Sequence, residues 1–425
     1  MADQFCTFAP VGDTQLARST RSERRVVKHE PPLANGSIGN KLLTPAITIR
    51  LGRRSDYIAE DIIRRRTDVW MTPFQTAGWR GAWDQHVGCV RNVQPVSAIV
   101  SDGARSVAIL PLAIHEAVGL RYLTWHAHDQ GDYGAPIVRS AQLEYFSKLD
   151  GRDLLLRIAN QVEGIDLVYL PKQPRSIADA VNPLVLPSSV EHHVGAHAIN
   201  FTHGENWDEF LQRRRGAPTR QHLRRKQRAL EKLGKVSFRL ARTPSEARNI
   251  VAHCLKSKSE QLAKLGHWDP FAAIEIRTFL EHLVCSSIGG TSWAAALTLD
   301  DEPVATAFGF SSPSEWLLYQ MSMSDARGAE CSPGTQLLMN LMRHCTETGV
   351  LRLDLSLGDE TYKLEWCDEH ETLLTTSLPL TLSGTAAHAL IKARAGLRKW
   401  FSSNPRLYHA GKTLKQKLRR ASISV

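Results

Sequence analysis

The stretch from Trp316 to Trp366, WLLYQMSMSDARGAECSPGTQLLMNLMRHCTETGVLRLDLSLGDETYKLEW, contains the pattern on which the fold prediction rests. Its apolar beginning predicts a strand over 316–321, and a second apolar run predicts a strand over 350–355. Between them, Ser-Pro-Gly at 332–334 precedes apolar residues spaced as on one face of a helix. The stretch therefore predicts a strand–helix–strand unit.

The residues before this stretch extend the pattern. Thr243-Pro-Ser-Glu246 is a capping box, and the apolar spacing behind it predicts a helix. Residues 292–299 and 304–310 flank a polar turn and predict an antiparallel pair. Helix, antiparallel strands, helix and strand in this order indicate an α+β domain.

The first half of the chain has a weaker version of the same pattern. Residues 96–100 and 106–110 flank Asp102-Gly103, a strong hairpin signal. A helical pattern follows over 143–158, and residues 167–170 predict a buried strand. We therefore expect two similar α+β domains in tandem.

Composition and charge limit the class of protein. The 425 residues include 42% hydrophobic and 23% charged residues, as in globular proteins. The formal net charge of +10 is concentrated in residues 211–235 and 372–425, so the rest of the chain is acidic. Two basic segments of this kind attract anions such as a phosphorylated cofactor, an acidic glycan, nucleic acid or lipid headgroups.

Targeting signals and cysteines favour a cytoplasmic location. No apolar run is long enough for a transmembrane helix, and residues 1–10 lack the pattern of a secretory signal. The seven cysteines are scattered without a CxxC pair, which fits reduced thiols. Residues 1–44 contain turn signals and no sustained periodicity, so we expect a poorly ordered tail.

Ser332-Pro333-Gly334 combines features of an anion site. Ser332 is a good helix cap, Pro333 suits the first turn, and Gly334 lets another group approach closely. The free N–H groups at such a helix start, which include that of Thr335, suit a pyrophosphate. The alternative interpretation is an ordinary capped helix.

The segment from Asp354 to Trp366 follows a predicted strand, where ligand-binding groups often lie. Lys363 is a candidate for stabilising an oxyanion, and Tyr362 is a candidate proton donor to a leaving group. The alternative is a solvated turn in which Trp366 is simply buried.

These motifs resemble a family of GNAT-type acetyltransferases called CelD-like or BioF-like, which is associated with bacterial cellulose and exopolysaccharide biosynthesis. The resemblance covers Ser332-Pro-Gly-Thr-Gln-Leu-Leu338 and the segment from Asp354 through Gly358-Asp-Glu360 and Tyr362-Lys363 to Trp366. It extends to Thr72-Pro-Phe-Gln with Trp79 and Trp83, to Gly131-Asp-Tyr133, and to the basic run from Arg224 to Gly234.

The resemblance implies two tandem GNAT-like domains related to the Fem peptidyltransferases, with Lys363 near the reacting carbonyl. We therefore expect a tail over 1–44, domains over 45–200 and 201–385, and a second tail over 386–425. The residue arguments and the resemblance together give three sets of candidates. They are catalytic Lys363, Tyr362 and Asp354; cofactor-binding Ser332, Pro333, Gly334, Thr335 and Gly358; and substrate-binding Asp132, Tyr133, Asp359 and Glu360.

The expected activity is transfer of an acyl group, acetyl above all, from acyl-CoA to an amine or hydroxyl of a small molecule or glycan. One alternative is a Fem-like transferase that uses aminoacyl-tRNA, which the basic segment 211–235 would suit. The other is a non-enzymatic GNAT-derived scaffold of a polysaccharide-synthesis complex. No metal is expected, because the histidines at 126, 128, 192, 193, 197 and 203 do not form a convincing ligand set.

The basic C-terminal tail, residues 386–425, has an amphipathic beginning. Leu390, Leu397, Trp400 and Phe401 fall on one helical face, and lysines and arginines flank it. This pattern is typical of an interfacial helix, so we expect peripheral contact with the inner membrane. A helix packed on the domain core is the alternative.

Overall fold

The structure, a computed structural model, describes residues 47–52, 69–324 and 327–402. The predicted N-terminal tail over 1–44 and residues 403–425 of the predicted C-terminal tail lie outside the described residues.

The described elements follow each other in α+β order. The strands are β1 Ile47–Gly52, β2 Val69–Trp70, β3 Gln94–Asp102, β4 Arg105–Ala117, β5 Leu120–Trp125, β6 Ile137–Arg139, β7 Leu167–Gln173, β8 Ser176–Ile177, β9 Ala180–Val181, β10 Val190–Glu191, β11 Ala196–Asn200, β12 Val236–Leu240, β13 Ser292–Leu299, β14 Glu302–Ser311, β15 Glu315–Met323, β16 Arg352–Leu357, β17 Glu369–Glu371 and β18 Leu374–Pro379. The α-helices are α1 Ala77–Trp83, α2 Leu143–Ser147, α3 Gly151–Ala159, α4 Trp207–Arg214, α5 Ala217–Glu231, α6 Pro244–Lys264, α7 Ile274–Ser286, α8 Pro333–Thr348, α9 Thr361–Trp366 and α10 Leu382–Ser402.

Two mixed sheets repeat one topology. In the first, β3, β4 and β5 are antiparallel neighbours, and the chain returns through α2 and α3 to β7, which is parallel to β5. In the second, β13, β14 and β15 are antiparallel neighbours, and α8 leads back to β16, which is parallel to β15. The predicted hairpin and the predicted strands of the second half are confirmed, with the last strand two residues later than predicted.

Each half contributes one strand to the sheet of the other half. β11 lies between β16 and β17 in the second sheet, and β18 pairs with β7 in the first. The sheets therefore cross the predicted domain limits at two places. Such an exchange couples the folding of the two halves, because neither sheet is complete without the other half of the chain.

Aromatic side chains join the two halves in one core. Trp79 packs edge-on against Phe279 and Phe310, with ring centroids 5.1 and 5.6 Å away. Phe74 and Trp83, from the predicted helical face near the start, are buried in the same cluster. Burial of such rings contributes on the order of 2–3 kcal/mol each, so this contact holds the halves in a fixed orientation.

One predicted helix, over 143–158, is two helices in the structure. α2 ends at Ser147, and α3 begins after Asp150, whose carboxylate accepts from the backbone N–H groups of Arg152 and Asp153. A Cβ at Gly151 would lie 1.7 Å from the carbonyl oxygen of Pro183. The close approach of this neighbouring segment fixes a helix start where periodicity alone predicts continuity.

The long helix α10 packs one side against the first sheet. His388 Nδ1 lies 2.8 Å from the hydroxyl of Ser377 in β18, and a Cβ at Gly384 would lie 1.8 Å from the carbonyl oxygen of Asp166. Its other side exposes Leu390, Leu397 and Trp400. Within the described ranges, no helix has both the length and the apolar character needed to cross a membrane.

Candidate active site

The parallel strands of the second sheet separate after a short contact. β15 and β16 pair from Glu315–Arg352 to Leu317–Asp354, and the register ends there. On the other edge of β15, Phe308 pairs with Gln320 and Gly309 with Leu318, which leaves Tyr319 as the extra residue of a bulge. The two strands therefore open where side chains of β15, β16 and the following turns converge.

The N-terminus of α8 lies beyond the C-terminal end of β15. Ser332 adopts the left-handed conformation, φ +57°, and its side chain makes no capping hydrogen bond. The prediction that Ser332 caps α8 is therefore wrong. The backbone N–H groups of Gly334 and Thr335, next to Pro333, donate to no described residue.

Gly334 is buried, but an added Cβ would meet no steric conflict. It would lie at an ordinary 3.7 Å from the Met323 sulfur, so packing within the described part of the chain does not require glycine at this position. A long helix start with free donors can accept an anion. Whether Ser332, Pro333, Gly334 and Thr335 bind a cofactor stays a prediction.

Lys363 is buried next to the C-terminal end of β16. Its ammonium lies 3.2 Å from the Glu360 carboxylate and donates to the carbonyl oxygen of Leu357 at the end of β16. Glu360 packs so closely on Gly358, φ +124°, that a Cβ there would lie 2.3 Å from Glu360 Oε2. Gly358 thus lets the carboxylate reach Lys363, and this contact by itself explains the glycine.

Tyr362 precedes Lys363 on α9 and is half-buried. Burial raises the pKa of its hydroxyl well above the ordinary value, and the charge of Glu360 adds to the effect. The group is therefore protonated at neutral pH and able to donate.

Asp354 and Tyr133 meet in one buried contact. The Tyr133 hydroxyl lies 2.9 and 2.8 Å from the two carboxylate oxygens of Asp354. Arg352 donates to the same carboxylate at 3.0 Å, and the backbone N–H of Ser356 at 2.6 Å. Both oxygens of Asp354 are engaged, so its surroundings are those of a group that holds the two halves together.

Asp132 precedes Tyr133 in the chain and lies beside this contact. Ser356 Oγ, on a residue with φ +60°, donates to Asp132 Oδ2 at 2.5 Å. Burial raises the pKa of Asp132, while the positive charges of Lys172 and Lys363 and the Ser356 hydrogen bond oppose that shift. A carboxylate of raised pKa between two lysines is suited to accept a proton.

Asp359 is bound on the other side of the turn. Its carboxylate accepts from His197 Nε2 at 2.8 Å, and the His197 Nδ1 atom lies 2.7 Å from His370 Nδ1. The hydrogen bond with His197 lowers the pKa of Asp359. A carboxyl group of lowered pKa is a weak base, so this contact anchors the turn to β11.

Lys258 of α6 is a site residue that the sequence analysis did not single out. It is half-buried within electrostatic range of Glu360 and Lys363; burial lowers its pKa and Glu360 opposes this. One turn further along α6, Gln261 Nε2 donates at 2.7 Å to the carbonyl oxygen of Met323, the residue beside Gly334. α6 therefore runs from Lys363 towards the start of α8. Lys258 could have been noticed in the sequence, because it follows Cys254 and Leu255 on the apolar face of the predicted helix.

Metal chemistry has no candidate site in the part of the chain that the structure describes. No group of three or more His, Cys, Asp or Glu side chains is arranged there to hold a metal ion.

Comparison with known protein families identifies a match within the second half of the chain. Residues 217–364 match the family described as "Acetyltransferase (GNAT) domain". This half carries a GNAT domain. The match includes α8, Lys258 and Lys363 of the site described above. No curated protein matches the chain significantly.

Similarity to solved structures extends over both halves of the chain. FemX is 10% identical over 81% of this chain and 99% of its own, with a TM-score of 0.52. A tandem GNAT protein from the clavulanic acid biosynthesis pathway is 10% identical over 79% of this chain and 99% of its own, with a TM-score of 0.42. L-PGS from Bacillus licheniformis is 14% identical over 73% of this chain and 94% of its own, with a TM-score of 0.43.

At these identities the likeness concerns the fold alone. The FemX likeness and the repeated sheet topology confirm the predicted α+β fold with two tandem GNAT-like domains. Residues 217–364 thus have the sequence pattern of a GNAT domain, while the activity and substrates of the chain do not follow from these comparisons.

Proposed function

We propose that this protein transfers an acyl group, acetyl above all, from acyl-CoA to an amine or hydroxyl of an acceptor. The observation that carries the proposal is the opening between β15 and β16, with the free N–H groups of α8 at one end and Lys363 at the other. The free N–H donors at the start of α8 and the buried ammonium of Lys363 support the proposal.

The donor end fits a pyrophosphate. Gly334 and Thr335 supply backbone N–H groups and the positive end of the α8 dipole, and Gly334 has no side chain in the way. Lys226 of α5 donates to the carbonyl oxygen of Glu330 in the preceding loop at 2.5 Å, which brings a cation beside this helix start. Acyl-CoA would supply the activated acyl group, and these residues would hold its phosphates.

The chemistry then falls to three side chains around the opening. Lys363 offers a positive charge to a carbonyl oxygen that gains negative charge during attack. Asp132 accepts the proton of the attacking amine or hydroxyl, since its burial favours the protonated form. Tyr362, protonated at neutral pH, donates to the leaving thiolate. Asp354 and Tyr133 keep the loop that carries Asp132 in place.

A second candidate is the aminoacyl-tRNA-dependent reaction. It is favoured by α5, whose basic residues are largely exposed next to the loop before α8. A role in polysaccharide biosynthesis, including that of a non-enzymatic scaffold and the resemblance to the CelD-like family, also stays a proposal. Binding of acetyl-CoA distinguishes the acyl-CoA-dependent enzyme from the tRNA-dependent enzyme and from the non-enzymatic scaffold, because only the first needs it.

We predict that Gly334→Val weakens acetyl-CoA binding by about tenfold or more, because side-chain carbons would stand between the phosphates and the N–H groups of α8. Calorimetric titration of the wild type and the variant with acetyl-CoA measures the effect. The thermal unfolding midpoint is the control, since a Cβ at this position meets only an ordinary contact.

Two outcomes of this titration would count against the proposal. If Gly334→Val bound acetyl-CoA as tightly as the wild type, the phosphates would not lie at α8. If the wild-type protein did not bind acetyl-CoA at all, the acyl-CoA-dependent reaction would be excluded, and charged tRNA would be the next donor to titrate.

We also propose peripheral membrane contact through the exposed side of α10. Leu390 and Leu397 are 61% and 56% exposed on the same face, with Lys392, Arg398 and Lys399 around it. The double variant Leu390→Gln/Leu397→Gln should bind vesicles of anionic phosphatidylglycerol about tenfold more weakly in sedimentation assays. Binding of the wild type should also fall with added salt.

Val118→Gln is a matched control, because Val118 is an apolar residue exposed at a turn far along the chain from α10. Equal sedimentation of the wild type and the double variant would assign α10 to packing on the first sheet alone. The side chain of Phe401, part of the predicted face, lies outside the described residues.

A further inference from the structure

The first sheet has its own opening, and polar side chains line it. β5 and β7 pair from Tyr122–Leu167 to Thr124–Tyr169, and no paired register follows, just as β15 and β16 separate in the second sheet. Tyr169, the last residue of β7 that pairs with β5, is half-buried, and its hydroxyl makes no hydrogen bond with a described residue. Its ring lies 6.5 Å from that of His128.

Lys172 connects this opening with the proposed reaction site. Its ammonium donates to the carbonyl oxygens of His128 and Gly131, at 3.1 and 2.8 Å, in the loop that carries Asp132. Burial lowers the pKa of Lys172, against the opposing charges of Asp132 and Asp129. Asp132 is thus within electrostatic range of both Lys172 of the first sheet and Lys363 of the second half.

Two adjacent histidines lie within electrostatic range of Lys172. The rings of His192 and His193 lie 4.4 Å apart, and the Nε2 atoms of both are buried without a hydrogen-bond partner among the described residues. Burial lowers their pKa values to about 2 and about 4, and the positive charges of Lys172 and Arg398 add to the effect. Both imidazoles are therefore neutral, and each has a ring nitrogen available as an N–H donor.

Two arginines of α10 lie near this opening. Arg394 and Arg398 lie one turn apart on α10, within electrostatic range of both Tyr169 and His193. The nearby acids are few: Asp359 acts on His193 but is bound to His197, and Glu191 lies 4.0 Å from Lys399. Donors and positive charge exceed negative charge in this cleft, formed by Tyr169, Lys172, His192, His193 and Arg398.

We propose that this cationic cleft binds a phosphate group of the acyl acceptor, so that the nucleophile of the same molecule reaches Asp132. The cleft offers the hydroxyl of Tyr169, the imidazole N–H groups of His192 and His193 and the guanidinium of Arg398, a donor set suited to an oxyanion. The substrate class is thus a phosphorylated amine or alcohol. Only the identification of the bound molecule as the acyl acceptor rests on the proposed function. The anion site itself is argued from the side chains of the cleft.

Inorganic phosphate is the probe for this cleft, titrated by calorimetry into the full-length protein. Arg398→Gln and Tyr169→Phe should each weaken phosphate binding by about tenfold, since a charge-assisted hydrogen bond contributes that much or more. Arg152→Gln is the matched control, because Arg152 is also an exposed arginine but lies on α3, outside both the cleft and the exposed side of α10. Because the start of α8 can also bind phosphate, both cleft variants are compared again in a Gly334→Val background, where the same losses should persist.

A second arm uses vesicles of phosphatidylglycerol to identify the source of the phosphate. If Arg398→Gln weakens phosphate binding and vesicle binding alike and Arg152→Gln weakens neither, the cleft is an anion site that takes a lipid headgroup. Weaker phosphate binding alone assigns the cleft to a phosphate that is not part of a lipid surface. Weaker vesicle binding alone would assign Arg398 to the membrane-binding side of α10 and overturn the inference. Equal affinity of the wild type and Arg398→Gln for both probes would overturn the inference. If acetyl-CoA binding were retained in that case, the proposed function would still stand. If the cleft bound phosphate but the protein did not bind acetyl-CoA, the inference would stand and the acyl-CoA-dependent function would be excluded.

Discussion

Replacement of Lys363 by methionine should reduce turnover by about 100-fold or more, the effect of removing one preorganised group at a developing oxyanion. The ammonium is buried next to the opening between β15 and β16, fixed by Glu360 and by the carbonyl oxygen of Leu357. Methionine keeps the length of the side chain and removes its charge. Release of the CoA thiol from acetyl-CoA, with water or an added amine as the nucleophile, measures the rate.

Loss of Lys363 also leaves the Glu360 carboxylate without its cation, which by itself would lower stability. The double variant Lys363→Met/Glu360→Gln removes that penalty and should fold like the wild type while staying inactive. Lys256→Met is the matched control, an exposed lysine on α6 only two residues from Lys258. Turnover of Lys363→Met within a few-fold of the wild type would remove Lys363 from the chemistry.

The local part of this site was accessible from the sequence. Residues that follow one strand end are close in space because the chain connects them, so Asp354, Gly358 and Lys363 were predicted as neighbours. Their roles were less accessible. Gly358 was predicted to contact the cofactor, whereas its missing side chain makes room for Glu360.

Contacts across the halves were not accessible. Tyr133 and Asp354 are 221 positions apart, and nothing in either local pattern specifies that they pair. The exchange of β11 and β18 has the same cause: alternation shows that a segment is a strand, but its partners depend on the whole fold. The sequence analysis names both residues but assigns them to separate sets, one catalytic and one substrate-binding.

Backbone conformation decided two further differences. Ser332 has the residue type of a helix cap, yet its left-handed conformation turns the side chain away from the N–H groups of α8. The break at Asp150-Gly151 had a sequence signal, since a cap residue followed by glycine favours a new helix start, but the apolar period continued across it. Local capping and tertiary contact outweighed periodicity there.

The buried contacts of Asp354 lead to the second prediction with a large expected effect, this time on stability. Its carboxylate accepts from Tyr133 of the first half and from Arg352, which in turn donates to Glu369 at 3.0 Å. Removal of the carboxylate leaves the buried Tyr133 hydroxyl without its acceptor and Arg352 without one of its anions. Breaking a buried charged pair of this kind costs about 3–5 kcal/mol, several times the effect of an exposed pair.

We therefore predict that Asp354→Ala lowers the free energy of unfolding by about 3–5 kcal/mol in urea denaturation followed by tryptophan fluorescence. Glu315→Ala is the matched control, since Glu315 also lies near Arg352, at 3.9 Å, but is exposed, and its loss should change stability by about 0.5 kcal/mol or less. Tyr133→Phe should fall between the two, because it removes one donor and leaves the ion pair. If Asp354→Ala instead kept the stability of the wild type and lost turnover, Asp354 would be a catalytic group as the sequence predicted. The contact between the halves would then depend on the aromatic cluster of Phe74, Trp79 and Phe310.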